Sequence, residues 1–280
     1  MKEMSEIGKA RRLARLLNKN SGRMLCVPLD HGMQVGPIAG IADPAPLIDI
    51  VVEAGVDAVI VNPGMLLRHG HRLAGGPAVI LRLNQTTMWR HGTPTGYADT
   101  HSRLVATVEE AVQMGAEAVI TYLFTCNNRP EEETKSFETA GIVASECRKW
   151  GVVHVIEAMA AKGGFARAND PAVVAMNCRM AGELGADMIK TDWCEPERFA
   201  DIARQSLAPI AVAGGPALAT LAGTLQFAKD TISAGATGLM FGRNVFQQAD
   251  VAATLARLAD VVHDRSELQG DPCAMPLGAG

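Results

Sequence analysis

The sequence contains no run of apolar residues long enough to cross a membrane, although 48% of its 280 residues are hydrophobic. A membrane-spanning helix needs roughly 18 such residues in a row, so we expect no membrane partner. The chain also has no excess of positive charge, because its net charge is −4. Aromatic residues make up only 4% of the chain. No basic segment is interleaved with aromatics, so the composition argues against a nucleic-acid partner.

Secretion signals and paired cysteines are missing as well. The basic N-terminal stretch, residues 1–23, has neither the apolar segment nor the cleavage site of a secretory signal. Its apolar residues follow helical spacing, which predicts a helix that closes one end of the domain. The six cysteines form no CxxC pair and no histidine lies at zinc-site spacing, so we expect no disulfide framework and no metal. These features favour the reducing cytoplasm.

One short pattern occurs four times along the chain. A helical stretch ends at a glycine, and two or three residues later a short run rich in valine and isoleucine begins. Glycine suits the left-handed position that ends a helix, and the apolar run is typical of a strand buried on both faces. The four copies are EAGVDAVIV (53–61), QMGAEAVIT (113–121), ELGADMIKT (183–191) and SAGATGLMF (233–241).

Four further apolar runs predict strands between these copies. They are MLCVPLD (24–30), AVILRL (78–83), VVHVIE (152–157) and PIAVAG (209–214). Helical patterns separate most of the strands, over 44–54, 102–114, 131–150, 171–184, 219–234 and 249–262. Alternating strands and helices indicate a parallel sheet, and eight such units in about 250 residues match an α/β fold of the (β/α)8 TIM-barrel type. A doubly wound open sheet is the alternative.

The chain shows no linker that would divide this barrel. We therefore predict one (β/α)8 domain over residues 1–269, with the N-terminal helix as its cap. Residues 270–280 are rich in glycine and proline, which predicts a disordered tail.

Polar side chains follow several predicted strands at their C-terminal ends, where barrels of this type carry their chemistry. They are Asp30, His31, Asn62, Arg82, Asn84, Tyr122, Glu157 and Lys190. Any strand becomes polar where it meets solvent, and this explanation suffices for Asn62 and Arg82. It explains Lys190 less well, because the spacing from Met188 to Lys190 puts both residues on one face of a strand.

An amine held out of water loses its proton more easily and can then attack a carbonyl, which is the requirement for Schiff-base catalysis. Lys190 is therefore either a nucleophile of this kind or a lysine at the rim that is held by an ion pair.

Glycines follow the last two predicted strands. Gly214 and Gly215 lie in VAGGP (212–216), and Gly242 precedes Arg243 in FGRN (241–244). Phosphate sites in barrels are commonly built from these two loops, since glycine lets backbone amides approach an anion and arginine adds a bidentate charge. The combination predicts an amine that faces a phosphorylated carbonyl compound.

Four segments resemble the archaeal-type class I fructose-bisphosphate aldolases, a family that also includes 2-amino-3,7-dideoxy-heptulosonate synthases and the thiolase of autoinducer-2 phosphate breakdown. They are VPLDHGMQVGPIAGI (27–41), GADMIKTDW (185–193), VAGGP (212–216) and GLMFGRNVFQ (238–247). The similarity extends from about residue 8 to residue 265, which is nearly the whole chain.

The resemblance implies a (β/α)8 barrel that often forms cyclic homo-oligomers. It implies that Lys190 is the Schiff-base lysine, and that Asp30 and His31 correspond to a DHG motif whose aspartate assists proton transfer. It implies further that Gly214, Gly215, Gly242 and Arg243 bind the substrate phosphate. No cofactor and no metal are expected, because a protonated imine is itself the electron sink.

Two stretches depart from that family. Aldolase members carry a YPRG stretch whose tyrosine is a general acid/base, whereas AAKG (160–163) stands here and puts Ala160 at the tyrosine position. Glu157, Tyr122 and His31 are the candidate replacements. Glu157 is favoured if the apolar barrel raises its pKa; otherwise it forms a salt bridge with Lys162 or Lys190. The loop TCNNRPEEE (125–133) also differs, which leaves the substrate open.

Three functions are consistent with this sequence. The first is a lysine-dependent aldolase that makes or breaks a C–C bond in a phosphorylated keto compound. The second is acyl transfer from a phosphorylated diketone to coenzyme A, which the missing tyrosine motivates. The third is a binding protein that keeps the barrel and the phosphate site without catalysis.

Overall fold

The computed structural model describes residues 2–97, 99–164 and 166–264. Eight parallel strands close into a barrel in the order β1-β2-β3-β6-β7-β8-β9-β10, and β10 pairs with β1. These strands are β1 (Met24–Pro28), β2 (Ala58–Val61), β3 (Ala78–Arg82), β6 (Ala118–Thr125), β7 (Val153–Ala160), β8 (Met188–Thr191), β9 (Ile210–Ala213) and β10 (Gly238–Met240). The predicted (β/α)8 barrel is confirmed, and the open sheet is not formed.

Helices surround the barrel. They are α1 (Lys2–Leu16), α2 (Gly32–Val35), α3 (Pro44–Glu53), α4 (Pro63–Leu73), α5 (Val108–Gln113), α6 (Pro130–Trp150), α7 (Pro171–Glu183), α8 (Pro196–Gln205), α9 (Leu221–Ser233), α10 (Arg243–Phe246) and α11 (Val251–His263). None of the helices in the described ranges is long and apolar enough to cross a membrane.

The four recurring glycines end their helices as expected. Gly55, Gly115, Gly185 and Gly235 all adopt positive φ, between 65° and 94°. An L-residue with a side chain rarely tolerates this conformation, so glycine is what allows each helix to turn sharply into the next strand.

The barrel interior is filled by one face of every strand. Small and branched side chains such as Ala58, Ile80 and Val155 form this inner cluster, and Leu16 of α1 packs against it from below. The other face of each strand packs against the helices, which is why the strands are apolar on both sides. The site therefore lies on a rigid, closed frame.

The predicted helix over 102–114 is wrong in its first half. Residues Ser102–Leu104 form a short strand, β5, that pairs antiparallel with β4 (Asn84–Thr86). The helix α5 begins later because Thr107 caps it, in a reciprocal capping box with Glu110. The proposed tail over 270–280 lies outside the described residues.

Candidate active site

The C-terminal ends of the strands bring most of the predicted site residues together. Asp30 follows β1, Tyr122 lies on β6, Glu157 on β7 and Lys190 on β8. All four side chains are buried, Lys190 at 6% exposure and Tyr122 at 1%. They face the interior because residues two apart on a strand share a face, and Met188 and Val155 belong to the inner cluster.

Lys190 and Glu157 form a buried ion pair. The two residues are direct neighbours across the β7–β8 ladder. The Lys190 Nζ atom lies 2.7 Å from the Glu157 Oε1 atom. The buried lysine is therefore paired with the carboxylate on the adjacent strand. Lys190 is one of the two partners that the sequence suggests for Glu157.

Arg82 lies at the centre of the site and not at its rim. Its side chain is fully buried, and its Nε atom donates a hydrogen bond of 2.8 Å to the Asp30 Oδ2 atom. Its Nη2 atom donates to Glu157 Oε2, and its guanidinium lies 3.9 Å from the ring centroid of Tyr122. The interpretation of Arg82 as a solvent-facing strand end is wrong, and so is that of Asn62, which is buried and donates to the backbone oxygen of Asp30.

Asp30, Arg82, Glu157 and Lys190 form a chain of two anions and two cations, which we call the buried tetrad. Burial alone raises the pKa of each carboxyl, but the opposite charges more than offset it. The pKa of Glu157 is lowered by Lys190 and Arg82, and that of Asp30 chiefly by Arg82. Of the two alternatives for Glu157, the raised pKa is wrong and the salt bridge with Lys190 is formed.

His31 and Tyr122 complete the predicted acid/base set. The His31 Nδ1 atom is buried 3.9 Å from Asp30 Oδ1, and its ring packs edge-on against Phe246. Burial lowers the pKa of His31, which keeps the imidazole neutral. The Tyr122 hydroxyl accepts a hydrogen bond from Gln34, and burial raises its pKa well above 10. Neither group changes charge near neutral pH.

The two glycine-containing loops after β9 and β10 lie beside each other, and side chains of the second loop donate hydrogen bonds to the first. The Arg243 Nη2 atom donates to the Gly215 oxygen at 2.9 Å, and Gly215 has a φ of +64°. A Cβ on Gly242 would lie 2.5 Å from the His31 Cε1 atom, so only glycine fits there. Burial lowers the pKa of Arg243, and no carboxylate within the described ranges pairs with it. This cation is available for an anion.

Asn244 holds the two glycine loops together and has no counterpart among the predicted residues. Its Nδ2 atom donates to the backbone oxygens of Gly214 at 2.6 Å and Pro216 at 3.1 Å. Its Oδ1 atom accepts from the backbone amide of Leu218 at 2.7 Å. Its position next to Arg243 was the only sequence signal for this role.

Replacing Asn244 with alanine is expected to lower the free energy of unfolding by about 2 to 4 kcal/mol, because three part-buried hydrogen bonds to the backbone are lost. Urea denaturation measures this change. Asn20→Ala, which truncates an exposed side chain, is the control and should leave the free energy within about 0.5 kcal/mol of wild type. Equal stability of the two variants would contradict the role given to Asn244.

The strand β7 presents no titratable group to the mouth beyond Glu157. Met159 and Ala161 pack with Tyr122 and Phe124 at that end of the barrel. Ala160, which stands at the tyrosine position of the resembled family, is buried. Its side chain lies on the opposite face of the chain from Met159 and Ala161, because successive residues of a strand alternate. None of the three can exchange a proton, so the missing tyrosine has no replacement on this strand.

Two charged residues lie near this gap. Asp192 follows β8, and its Oδ2 atom is buried with no hydrogen-bond partner in the described part of the chain. Burial first, and then Glu157, raise the pKa of Asp192 to about 7. Lys162 is exposed, and its ammonium lies 5.9 Å from the Trp89 ring centroid. Asp192 was not predicted, although its spacing of two residues from Lys190 was a usable signal.

The described residues contain no cluster of three His, Cys, Asp or Glu side chains suited to a metal ion. The predicted loop over 125–133 is shorter in the structure, because Thr125 ends β6 and α6 begins at Pro130. The remaining loop contacts neighbouring loops, since Asn127 donates to the Thr100 oxygen and Asn128 to the Gly163 oxygen. It lies at the same end of the barrel as Lys190.

Comparison with known proteins agrees with this geometry. A family model described as DeoC/LacD family aldolase matches residues 24–248. A 2-amino-3,7-dideoxy-D-threo-hept-6-ulosonate synthase of Halobacterium salinarum is 34% identical over 278 residues, covering 99% of this chain and 98% of that protein. An uncharacterised aldolase of Saccharolobus solfataricus is 29% identical over 94% of this chain and 97% of its own length.

Solved structures show the same architecture. A Schiff-base-forming fructose-1,6-bisphosphate aldolase superposes with a TM-score of 0.80 at 27% identity, covering 91% of this chain and 99% of that one. A structure of an archaeal fructose-1,6-bisphosphate aldolase, with its catalytic lysine covalently bound to a carbinolamine intermediate, has the same TM-score at 26% identity and the same coverage.

Proposed function

This chain belongs to the DeoC/LacD family of aldolases, and from that premise we propose that Lys190 forms a Schiff base with a phosphorylated carbonyl compound. The observation that carries the proposal is a buried lysine at the catalytic end of the barrel, paired with Glu157 at 2.7 Å. The cation Arg243, which no carboxylate of the described residues pairs with, lies in the glycine loops of the same end. An amine nucleophile and an anion site together define the substrate class.

The reaction begins when Lys190 releases its ammonium proton to solvent and the resulting neutral amine attacks the substrate carbonyl to form a carbinolamine. Loss of water gives a protonated imine, which draws the electron pair of the adjacent C–C bond when that bond breaks. The resulting enamine takes up a proton and hydrolyses to regenerate the amine. In the synthetic direction the enamine attacks an aldehyde instead. The protonated imine serves as the electron sink, so the proposal needs no cofactor and no metal.

The buried tetrad supports this chemistry by charge. Glu157 stays ionised. It pairs with the Lys190 ammonium before the reaction, and it can stabilise the positive charge of the protonated imine afterwards. Asp30 is held by Arg82 and keeps the neutral His31 beside the glycine loops. Tyr122, with its proton retained, forms part of the wall. We assign these residues positioning and electrostatic roles around Lys190.

The glycine loops supply the phosphate site of this proposal. Arg243 provides the charge, and Gly214, Gly215 and Gly242 let the backbone approach an anion closely. The names of the similar proteins include a bisphosphate aldolase and a synthase of a phosphonooxy compound. We therefore propose a ketose phosphate or a related phosphorylated ketone as substrate.

The test is reduction with borohydride in the presence of dihydroxyacetone phosphate, fructose 1-phosphate or fructose 1,6-bisphosphate. With at least one of the three compounds, we expect one reduced substrate molecule, or its ketone cleavage fragment, to be bound covalently to each chain. Intact-mass spectrometry detects this adduct. No adduct with any of them in the wild-type protein would overturn the proposal.

Acyl transfer to coenzyme A remains a second candidate, because Met159 and Ala161 leave β7 without the acid/base group of a standard aldolase. Product analysis with and without coenzyme A separates the two functions. A rate that does not change when the thiol is omitted removes the second candidate.

We propose a cytoplasmic location and a homo-oligomeric assembly as well. The five cysteines in the described ranges are free and buried, which suits a reducing compartment. Cell fractionation tests the first of these proposals, and light scattering tests the second.

A further inference from the structure

The inward-facing residue at the mouth end of β7 is Met159, which cannot exchange a proton. A carboxyl group that the proposed function does not use lies next to it, because Asp192 follows the Ala158–Thr191 pair of the β7–β8 ladder. Asp192 continues the inward phase of β8, since Met188 lies in the inner cluster and Ile189 in the outer one. Thr191 faces outward and bonds to the Ala158 oxygen. The next residue therefore points back toward the interior, on the same side as Lys190.

We propose that Asp192 is the general acid/base of C–C bond cleavage and formation, in the role that tyrosine has in the relatives. This inference rests on the proposed function, because it requires the Schiff base on Lys190. The carboxyl replaces the tyrosine from the neighbouring strand and not from β7.

The geometry supports this assignment. Residues two apart on a strand are separated by about 7 Å, with Asp192 further toward the open end than Lys190. In a ketose imine the hydroxyl that must lose its proton lies four bonds from the imine nitrogen, so its base must be a separate group that is displaced from Lys190. The Oδ2 atom of Asp192 is buried and has no protein partner in the described ranges, so it is free to bond this hydroxyl.

The step is a simple proton transfer. During cleavage the Asp192 carboxylate takes the hydroxyl proton, the O–H electron pair forms the aldehyde C=O, and the C–C electron pair moves into the imine to give the enamine. The proton ends on Asp192. During condensation the protonated carboxyl returns it to the aldehyde oxygen as the C–C bond forms, so atoms and charges balance in both directions.

The other ionisable groups at this end are unsuited to that task. Glu157 and Asp30 stay ionised in the buried tetrad, and Tyr122 keeps its proton. The charged groups that act on Asp192 are Glu157 on β7, Lys190 on its own strand and Lys162 on the loop after β7. Burial and Glu157 raise the pKa of Asp192 to about 7, and the two lysines oppose them. A pKa near the working pH is what proton exchange in both directions requires.

The experiment compares Asp192→Asn with Glu195→Gln, an exposed carboxyl three residues away on the same loop. Both variants are trapped with borohydride and assayed for cleavage of the ketose phosphate that gives the most adduct with wild type. We expect D192N to form the Lys190 adduct but to cleave at least about 100-fold more slowly. We expect E195Q to match wild type in both assays.

The pH profile separates a proton-transfer role from a structural one. In wild type kcat/KM for cleavage should rise as pH increases through about 7, because the ionised form of Asp192 is the base. This rise of kcat/KM with pH should disappear in D192N and should still be present in His31→Gln. If D192N does not fold, Asp192→Ser also removes the carboxyl and serves the same test.

Three results would overturn the assignment. The first is cleavage by D192N within threefold of wild type, and the second is a rise of kcat/KM near pH 7 that D192N retains. The third is loss of the adduct in D192N alone, because Asp192 would then be needed before C–C chemistry. Absence of an adduct in wild type with all three phosphates would instead overturn the proposed function, and this assignment with it.

Discussion

Replacing Arg82 with methionine is expected to lower the free energy of unfolding by about 3 to 5 kcal/mol at neutral pH, because the change leaves two buried carboxylates without their shared partner. Methionine fills most of the volume, so the loss is mainly electrostatic. Asp30 and Glu157 are each only 3% exposed, so water cannot replace the guanidinium. Guanidinium chloride denaturation measures the change.

The matched control is Arg72→Met. Arg72 pairs with Asp49 at 2.6 Å, but this ion pair lies on the surface. Exposed pairs contribute about 0 to 1 kcal/mol, so R72M should be close to wild type. Arg82→Lys, which keeps the charge but not the fork geometry, should fall between wild type and R82M. Equal effects of R82M and R72M would contradict the central position of Arg82.

The R82M defect should depend on pH in a definite direction. The folded-state pKa values of Asp30 and Glu157 lie below the ordinary values of 3.8 and 4.5. Their contribution to stability is therefore present above about pH 4.5 and is lost as pH falls through the folded-state values. Since acid protonates the unpaired carboxylates of the variant first, the gap between R82M and wild type should narrow as pH falls.

Replacing Lys190 with alanine is expected to reduce C–C cleavage at least about a thousandfold, because no other side chain can take over the covalent step. The borohydride adduct should disappear with the activity. A phosphorylated ligand should still bind, since the glycine loops and Arg243 follow β9 and β10 and are not part of β8.

Lys229→Ala is the control for this variant, because Lys229 is an exposed lysine on α9. It should retain both full activity and the adduct. A K190A variant with unchanged turnover would contradict the lysine-dependent mechanism. A wild-type protein that binds phosphate ligands without any turnover would favour the non-catalytic alternative.

The barrel could be predicted from the sequence because its signals are local. Each glycine that ends a helix is followed directly by a strand, and chain-local patterns of this kind survive in the fold. Residues 102–104 could not be placed in the same way. Their strand depends on pairing with 84–86, about 18 residues away, and the capping box of Thr107 and Glu110 sets the start of α5.

The lysine could also be predicted, but its electrostatic environment could not. Arg82 at the end of β3 resembles any polar residue at a strand end. Only the closed barrel brings it between carboxylates on β7 and after β1, distant in sequence. The lowered pKa of Glu157 has the same origin, because barrel closure brings the Arg82 guanidinium to its carboxylate. Asp192 was missed because its spacing of two residues from Lys190 does not by itself set it apart from other polar residues after strands, and its unpartnered oxygen is seen only in the fold.

The most direct measurement for this mechanism is peptide mapping of the borohydride-reduced protein after trypsin digestion. A reduced adduct blocks cleavage at the modified lysine. Modification of Lys190 should give a peptide spanning residues 180–198 that carries the mass of the reduced substrate, and digestion at Lys162 should remain normal. An adduct on a peptide spanning residues 150–167 would place the Schiff base on Lys162 and contradict the assignment of Lys190.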